Sequence, residues 1–218
     1  MKRILFFIMV LAAVTMIYSC QQKKSSGVCR VYGTVNNQQY EGKHVFLVPL
    51  KGPGADGRGD STVIRDGKFE FEPDSIRLYK VMLDEKNRFD LQPLLIVAEP
   101  GDVWVRMDTV SHAGGTPQND SLDLWKTRTE QYKVQAQFLR QLIADLDKKG
   151  ERAQADVIEQ RAISLKDAYL DYTRQLAKDL NSGPLYEFLN GFAPKDPHEH
   201  SHGTAETTNA DKHEEDSE

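Results

Sequence analysis

An α+β fold is predicted by this sequence, with an antiparallel β-sandwich followed by an antiparallel helical hairpin. Two observations lead to this prediction. Between residues 28 and 118, short β-rich runs alternate with turn residues, whereas between residues 119 and 192 the apolar positions recur at helical spacing. Strands that follow one another without helices between them pair into antiparallel sheets, so the two patterns indicate two successive domains.

Seven strands are predicted in the first domain. Asp66-Gly67 is expected to form a two-residue hairpin turn, because glycine tolerates the positive φ that such a turn requires. Pro100-Gly101 separates two further strands. The predicted strands cover residues 28–35, 45–50, 61–65, 68–72, 76–83, 94–99 and 103–108.

Two helices are predicted from residue 119, where Asn119 or Asp120 can cap the first of them. Lys149-Gly150 separates their apolar stripes, and Gly183-Pro184 ends the second helix before a short apolar segment. Neither helix can bury its stripe alone, so the two are expected to pack against each other. Five aromatic residues are expected in this core: Trp125, Tyr132, Phe138, Tyr169 and Tyr172. Four apolar residues lie off the main stripes and are available to the β domain or a partner: Leu124, Val134, Phe138 and Ile163.

The N-terminal segment has the features of a lipoprotein signal peptide over residues 1–19. Lys2 and Arg3 precede an apolar run that is shorter than the roughly 20 residues of a transmembrane span. The tetrapeptide Ile17-Tyr18-Ser19-Cys20 resembles the bacterial lipobox, which has an aliphatic residue three places before an obligatory cysteine. We expect cleavage before Cys20 and attachment of acyl chains such as palmitate to this residue. The alternative is an ordinary secretory signal with an incidental cysteine.

The expected anchor places the chain on the cell envelope, and residues 20–27 form a polar tether. Lys23 and Lys24 follow the anchor where an acidic surface-export signal would stand, which favours the outer membrane facing the periplasm. Removal of residues 1–19 leaves 26 basic and 33 acidic residues, a net charge of −7. This balance argues against a nucleic-acid partner, because binding to phosphates requires clustered Lys and Arg.

Five short motifs occur in a characteristic order between residues 60 and 125: Asp60-Ser61, Asp66-Gly67-Lys68-Phe69-Glu70-Phe71, Glu99-Pro100-Gly101-Asp102, Gly115-Thr116-Pro117 and Asn119-Asp120. With these motifs the chain resembles the domain of unknown function 4369, over residues 28–125 and more loosely to residue 184. In that family the β module sits on lipoproteins and exported proteins, usually ahead of a thioredoxin-like thiol-disulfide oxidoreductase domain. No Trp-Cys-x-x-Cys motif follows here. The resemblance therefore implies the accessory half without the catalytic half, and it transfers no catalytic residue.

The predicted function is that of an accessory module without enzymatic activity, which binds protein or envelope ligands from a lipid anchor. After lipidation Cys29 is the remaining thiol, and a single cysteine in a first strand is expected to be buried rather than reactive. An alternative function is a non-catalytic role in periplasmic thiol-disulfide redox chemistry, in which the chain acts with a redox domain on another protein.

The C-terminal tail, residues 193–218, is acidic and contains histidine, and it is predicted to be disordered because no large apolar residue follows Phe192. His198, His200 and His202 alternate with Glu199 and Ser201. Imidazoles and carboxylates are suitable ligands for zinc, so metal binding by this tail is a further alternative. A solvated tail with incidental histidines is the competing interpretation. No other cofactor is predicted.

Overall fold

The computed structural model describes residues 27–56, 59–83 and 91–193. The chain divides into two compact units, one ending at Lys126 and the other beginning at Thr127. Within the described residues a short 3₁₀ helix, Gln38–Tyr40, follows the first strand. The strands and α-helices, in chain order, are β1 (Cys29–Val35), β2 (His44–Pro49), β3 (Asp60–Val63), β4 (Lys68–Phe71), β5 (Leu78–Leu83), β6 (Leu94–Val97), β7 (Gly101–Met107), β8 (His112–Gly114), α1 (Pro117–Lys148), α2 (Arg152–Leu180) and α3 (Pro184–Phe192).

The first unit contains two four-stranded sheets, with strand orders β4-β1-β7-β8 and β3-β2-β5-β6. Side chains alternate along β1, where Val31 is fully buried while Arg30 and Tyr32 are exposed. The buried faces of both sheets contribute to one apolar core. Full burial of an aliphatic side chain contributes roughly 1.5–3 kcal/mol, so this shared core is the main source of stability of the unit. The predicted α+β class with a β-sandwich and a helical hairpin is confirmed.

Two features of the sheet topology depart from a chain of simple hairpins. β1 pairs with β7 in parallel, although the other strand pairings are antiparallel. The turn predicted at Asp66-Gly67 is confirmed, with φ of 52° and 67°. However, β3 and β4 on either side of it belong to different sheets, so the turn forms a corner of the sandwich. β8 was not predicted, because a three-residue strand is too short to show a period.

The first helix, α1, begins at Pro117, so the prediction that Asn119 or Asp120 caps it is wrong. Proline is favoured in a first helical turn because its φ is already helical. The N–H groups of that turn have no acceptor within the helix, so the N–H that proline lacks costs no hydrogen bond. The carboxylate of Glu99 accepts a hydrogen bond from the Gln118 N–H at 2.8 Å. A side chain from the β domain therefore satisfies one of the free donors at this helix end.

In the second unit α1 and α2 form the predicted antiparallel hairpin. Gly150 lies between them with φ of 74°, a conformation that favours glycine. α2 ends at Leu180, and Asn181 follows it in the left-handed region with φ of 52°. The apolar segment predicted after Gly183-Pro184 is a third helix, α3, in which Leu185 and Leu189 are completely buried.

Candidate functional site

A groove between α1 and α2 is a candidate binding site of the second unit. Its cavity volume is about 280 Å³. Residues of both helices contribute to its walls, and their side chains combine aromatic rings, aliphatic groups, amides and one cation. We call it the interhelical groove; it is lined by Arg128, Gln131, Tyr132, Gln135, Leu165, Ala168, Tyr169 and Tyr172.

The floor of the groove is a pair of stacked tyrosines. The rings of Tyr132 and Tyr169 lie 4.4 Å apart between centroids and are almost parallel, at 4°. The Tyr169 hydroxyl is hydrogen-bonded to the buried Thr129 hydroxyl, with 2.8 Å between the oxygens. On the other side, Tyr169 makes an edge-to-face contact with Phe192 of α3. These contacts restrain the Tyr169 ring, so the floor is a preformed aromatic surface.

The polar end of the groove is formed by Arg128 and Tyr172. The Arg128 guanidinium carbon lies 5.4 Å from the centroid of the Tyr172 ring, a cation–π contact. Within the described residues, Arg128 makes no ion pair with a carboxylate. Burial raises the pKa of Tyr172, an effect that Arg128 partly offsets. The Tyr172 phenol is therefore protonated at neutral pH and can donate a hydrogen bond.

The same face of α1 continues beyond the groove toward Phe138 and Leu142. Arg128, Gln131, Gln135, Phe138 and Leu142 are spaced three or four residues apart, so they lie along one side of the helix. Phe138 is 66% exposed, and its expected place in the core is therefore wrong. The other expectation for Phe138, an apolar position outside the packed stripe, is confirmed.

The other aromatic residues expected in the helical core divide into two groups. Trp125 and Tyr169 are buried, as predicted. Tyr132 and Tyr172 are half-buried and line the interhelical groove. Periodicity alone did not separate them, because a groove wall and a core stripe both recur at helical spacing. Gln131 and Gln135 could have indicated the groove from the sequence, because uncharged amides beside an aromatic stripe lie at the border between buried and exposed positions.

A second set of residues missed from the sequence lies on the β domain. Tyr32 and Trp104 stand at positions of β1 and β7 whose neighbours along the strand point into the core, so their own side chains point outward. An aromatic residue in the outward phase of a strand was the signal that could have identified them.

The sequence-predicted site residues lie mostly outside the described residues. Cys20, the expected lipid attachment site, is among them, as are the proposed zinc ligands His198, His200 and His202. In the part of the chain that the structure describes, no group of three or more His, Cys, Asp or Glu is arranged to hold a metal ion. Cys29 is buried and free, as expected.

Comparison with known proteins was made by family model, by curated sequence and by solved structure. None of the three comparisons finds a match. None of the helices that the structure describes is both long enough and apolar enough to span a bilayer.

Proposed function

We propose that this chain is a lipid-anchored module of the cell envelope that binds a helical segment of a partner protein in the interhelical groove. The observation that carries the proposal is the aromatic floor of the groove, bordered by a cation and two amides. The lipid anchor expected at Cys20 supports an envelope location, because a folded domain on a polar tether reaches only partners near the membrane surface.

The shape of the groove favours a helix as the ligand. In a helical bundle, a further helix packs into the groove between two antiparallel helices. From Arg128 to Leu142 the face of α1 extends about 21 Å, at 1.5 Å per residue. A partner helix of about four turns would therefore cover it, with its apolar residues on Tyr132, Leu165 and Phe138.

The charge of the groove defines the partner further. Arg128 is held over the Tyr172 ring, so its orientation is restrained before a ligand arrives. A planar guanidinium with free donors pairs best with a carboxylate. We therefore expect an Asp or Glu at one end of the partner helix, while Gln131 and Gln135 bind polar groups along its edge.

A site-specific crosslinking experiment tests the location. A photoreactive benzoylphenylalanine is placed at Gln131, which lines the groove, or at Gln137, which is also an exposed glutamine of α1 but lies on another face. Irradiation of intact envelopes should yield a discrete adduct from position 131 and not from position 137. The crosslinked partner peptide, identified by mass spectrometry, should come from a helix that carries a carboxylate. Equal adducts from both positions would refute the groove as the site.

A charge-reversal experiment tests the chemistry. Arg128→Glu should weaken binding of the identified partner about tenfold or more, because like charges then face each other. Arg140→Glu, on another face of the same helix, is the matched control and should leave affinity unchanged. Reversal of the partner carboxylate to lysine should restore binding to the Arg128→Glu variant. Undiminished binding by Arg128→Glu would show that this cation has no part in recognition.

A further inference from the structure

The outward face of the β4-β1-β7-β8 sheet carries two aromatic side chains next to each other. Tyr32 of β1 and Trp104 of β7 are direct partners in the parallel register, and both point away from the core. Tyr32 is 38% exposed and Trp104 is 48% exposed. A large aromatic side chain left half in water loses much of the free energy that its burial would provide. Tyr32 and Trp104 thus form an exposed aromatic pair on an otherwise polar face, and we call this pair the platform.

The platform is built into the sheet by two glycines beside Trp104. A Cβ atom at Gly114 would lie 2.7 Å from Cζ2 of the Trp104 indole, and one at Gly115 would lie 3.0 Å from Cδ1. The first distance is too short for any residue with a side chain, and at Gly115 a Cβ would also lie 2.5 Å from the Asp102 carbonyl oxygen. The indole thus packs directly on the backbone of Gly114, which ends β8, and on that of Gly115, which follows it. Its position is defined by packing, while its outer side remains open to solvent.

Rows of charged residues border the platform on the same face. One row places Lys68, Thr34 and Arg106 on neighbouring strands, and the row on the other side places Arg30 beside Asp102. Arg30 also forms an ion pair with Glu72, at 3.6 Å. In the middle row, Glu70 is the direct partner of Tyr32. These rows carry three basic and three acidic side chains, and the Asp120 carboxylate also lies over Gly114 beside the indole. The border is therefore strongly polar, with four acids against three bases.

We propose that this face binds a neutral polysaccharide whose pyranose rings stack on Trp104 and Tyr32. The C–H groups on one face of a pyranose carry a small positive charge and pack on the negative face of an aromatic ring. The ring hydroxyls remain at its edges, where carboxylates accept and guanidinium groups donate hydrogen bonds. Aromatic stacking with a mixed donor and acceptor border therefore matches the chemistry of a saccharide chain.

The charges on this face distinguish a saccharide from other ligands. A nucleic acid requires an excess of basic residues, which this border does not provide because its acids outnumber its bases. A protein interface of ordinary size buries about 800 Å² on each partner, with a core from which charged residues are depleted. Here seven charged side chains border two aromatic rings, so a protein would have to desolvate them. A neutral polyhydroxyl chain leaves them hydrogen-bonded and partly hydrated.

Affinity electrophoresis of the full-length protein provides the first test. Native gels contain laminarin, hydroxyethyl cellulose, dextran or galactomannan, and the detergent carries no sugar headgroup. At least one of these neutral polymers should retard the protein. Trp104→Ala should lose the retardation, with affinity at least about tenfold lower, and Tyr32→Ala should reduce it. Ile76→Ala is the control, because Ile76 is an exposed apolar residue in a loop of the same unit.

Tryptophan fluorescence provides the second test, and it also shows that the variants are folded. The chain has two tryptophans, of which Trp125 is buried and Trp104 is exposed. The polymer that retards the protein should shift its emission to shorter wavelength in a saturable titration. The Trp104→Phe variant should lose this shift. Emission from Trp125 at the wavelength of a buried tryptophan shows that the variant is folded. Absence of retardation by all four polymers overturns the proposal. Retardation that survives Trp104→Ala overturns it as well, because the saccharide would then bind elsewhere.

Discussion

Asn119 is paired with the backbone of Val97 through both polar atoms of its side chain. Its Oδ1 accepts a hydrogen bond from the Val97 N–H at 2.9 Å, and its Nδ2 donates to the Val97 carbonyl at 2.8 Å. Both residues are buried, and Val97 ends the edge strand β6. The side chain from the first turn of α1 thus takes the place of a neighbouring strand, which satisfies backbone groups that water cannot reach.

Asn119→Ala should therefore strongly destabilise the protein. It leaves the N–H and carbonyl of Val97 buried without their partner, and each such group costs about 1–3 kcal/mol. We expect the free energy of unfolding to fall by about 3 kcal/mol in urea titrations. The control is Asn190→Ala, since within the described residues the Asn190 side chain donates to the carbonyl of Tyr186 in its own helix. A similar loss in both variants would contradict the proposed role of Asn119.

The Asp66-Gly67 corner depends on a carboxylate from another part of the chain. Glu41 Oε1 accepts from the Asp66 N–H at 2.9 Å, and Oε2 accepts from the Gly67 N–H at 3.1 Å. Glu41→Gln replaces one acceptor with an NH₂ group and removes the charge, so the free energy of unfolding should fall by about 1 kcal/mol. Glu70→Gln on the exposed sheet face should change it by less than about 0.5 kcal/mol. Urea titration of both variants measures the difference.

The thiol of Cys29 should make stability depend on alkaline pH. Its pKa is raised from 9.0 to about 11, mainly because burial disfavours the thiolate. The folded state then holds this proton more tightly than the unfolded chain, so its contribution is present below pH 9 and is lost as the pH rises toward 11. Urea titrations at pH 8 and pH 10.5 should show a larger loss for the wild type than for Cys29→Ala. Equal losses would mean that Cys29 does not titrate differently on folding.

The reactivity of Cys29 offers an independent measurement. A protonated, buried thiol is a poor nucleophile, so iodoacetamide at pH 7.5 should leave the peptide that contains Cys29 unmodified in the native protein. The same reagent should modify it rapidly in urea. Rapid modification of the native protein would contradict both the burial and the raised pKa.

Lipid attachment at Cys20 remains a prediction from the sequence. Cells grown with labelled palmitate should incorporate it into the wild-type chain, and Cys20→Ser should abolish the label because the attachment atom is lost. The variant should also leave the membrane fraction. Cys29→Ser is the matched control and should keep the label. Labelled Cys20→Ser protein would disprove the assignment.

Zinc binding by the tail is also a prediction that awaits measurement. Deletion of residues 197–218 should abolish zinc binding in calorimetry if His198, His200 and His202 supply the ligands. Replacement of these three histidines with asparagine should do the same without shortening the chain. Replacement of His44 and His112 with asparagine leaves the tail intact and serves as the control. Unchanged zinc binding after the deletion would rule out the tail as the site.

The sequence by itself determined most of the local structure. Three features depend only on the chemistry of a few neighbouring residues and can therefore be predicted from the sequence. They are the alternation along β1, the positive φ expected at Asp66-Gly67 and the helical spacing after Asn119. The boundaries were less exact: α1 starts earlier than predicted, at Pro117, because Glu99 from the β domain supplies acceptors at its N-terminus.

The tertiary structure decided which of these segments meet. Strands β3 and β4 are separated by four residues, 64–67, yet they enter different sheets: β3 pairs with β2, and β4 pairs with β1. The Tyr32–Trp104 platform joins residues far apart in the chain through the parallel β1–β7 pairing, and the interhelical groove exists only when α1 and α2 pack. Local patterns specify an element and its buried face, but long-range packing selects its neighbours, and both candidate binding surfaces are made of such neighbours.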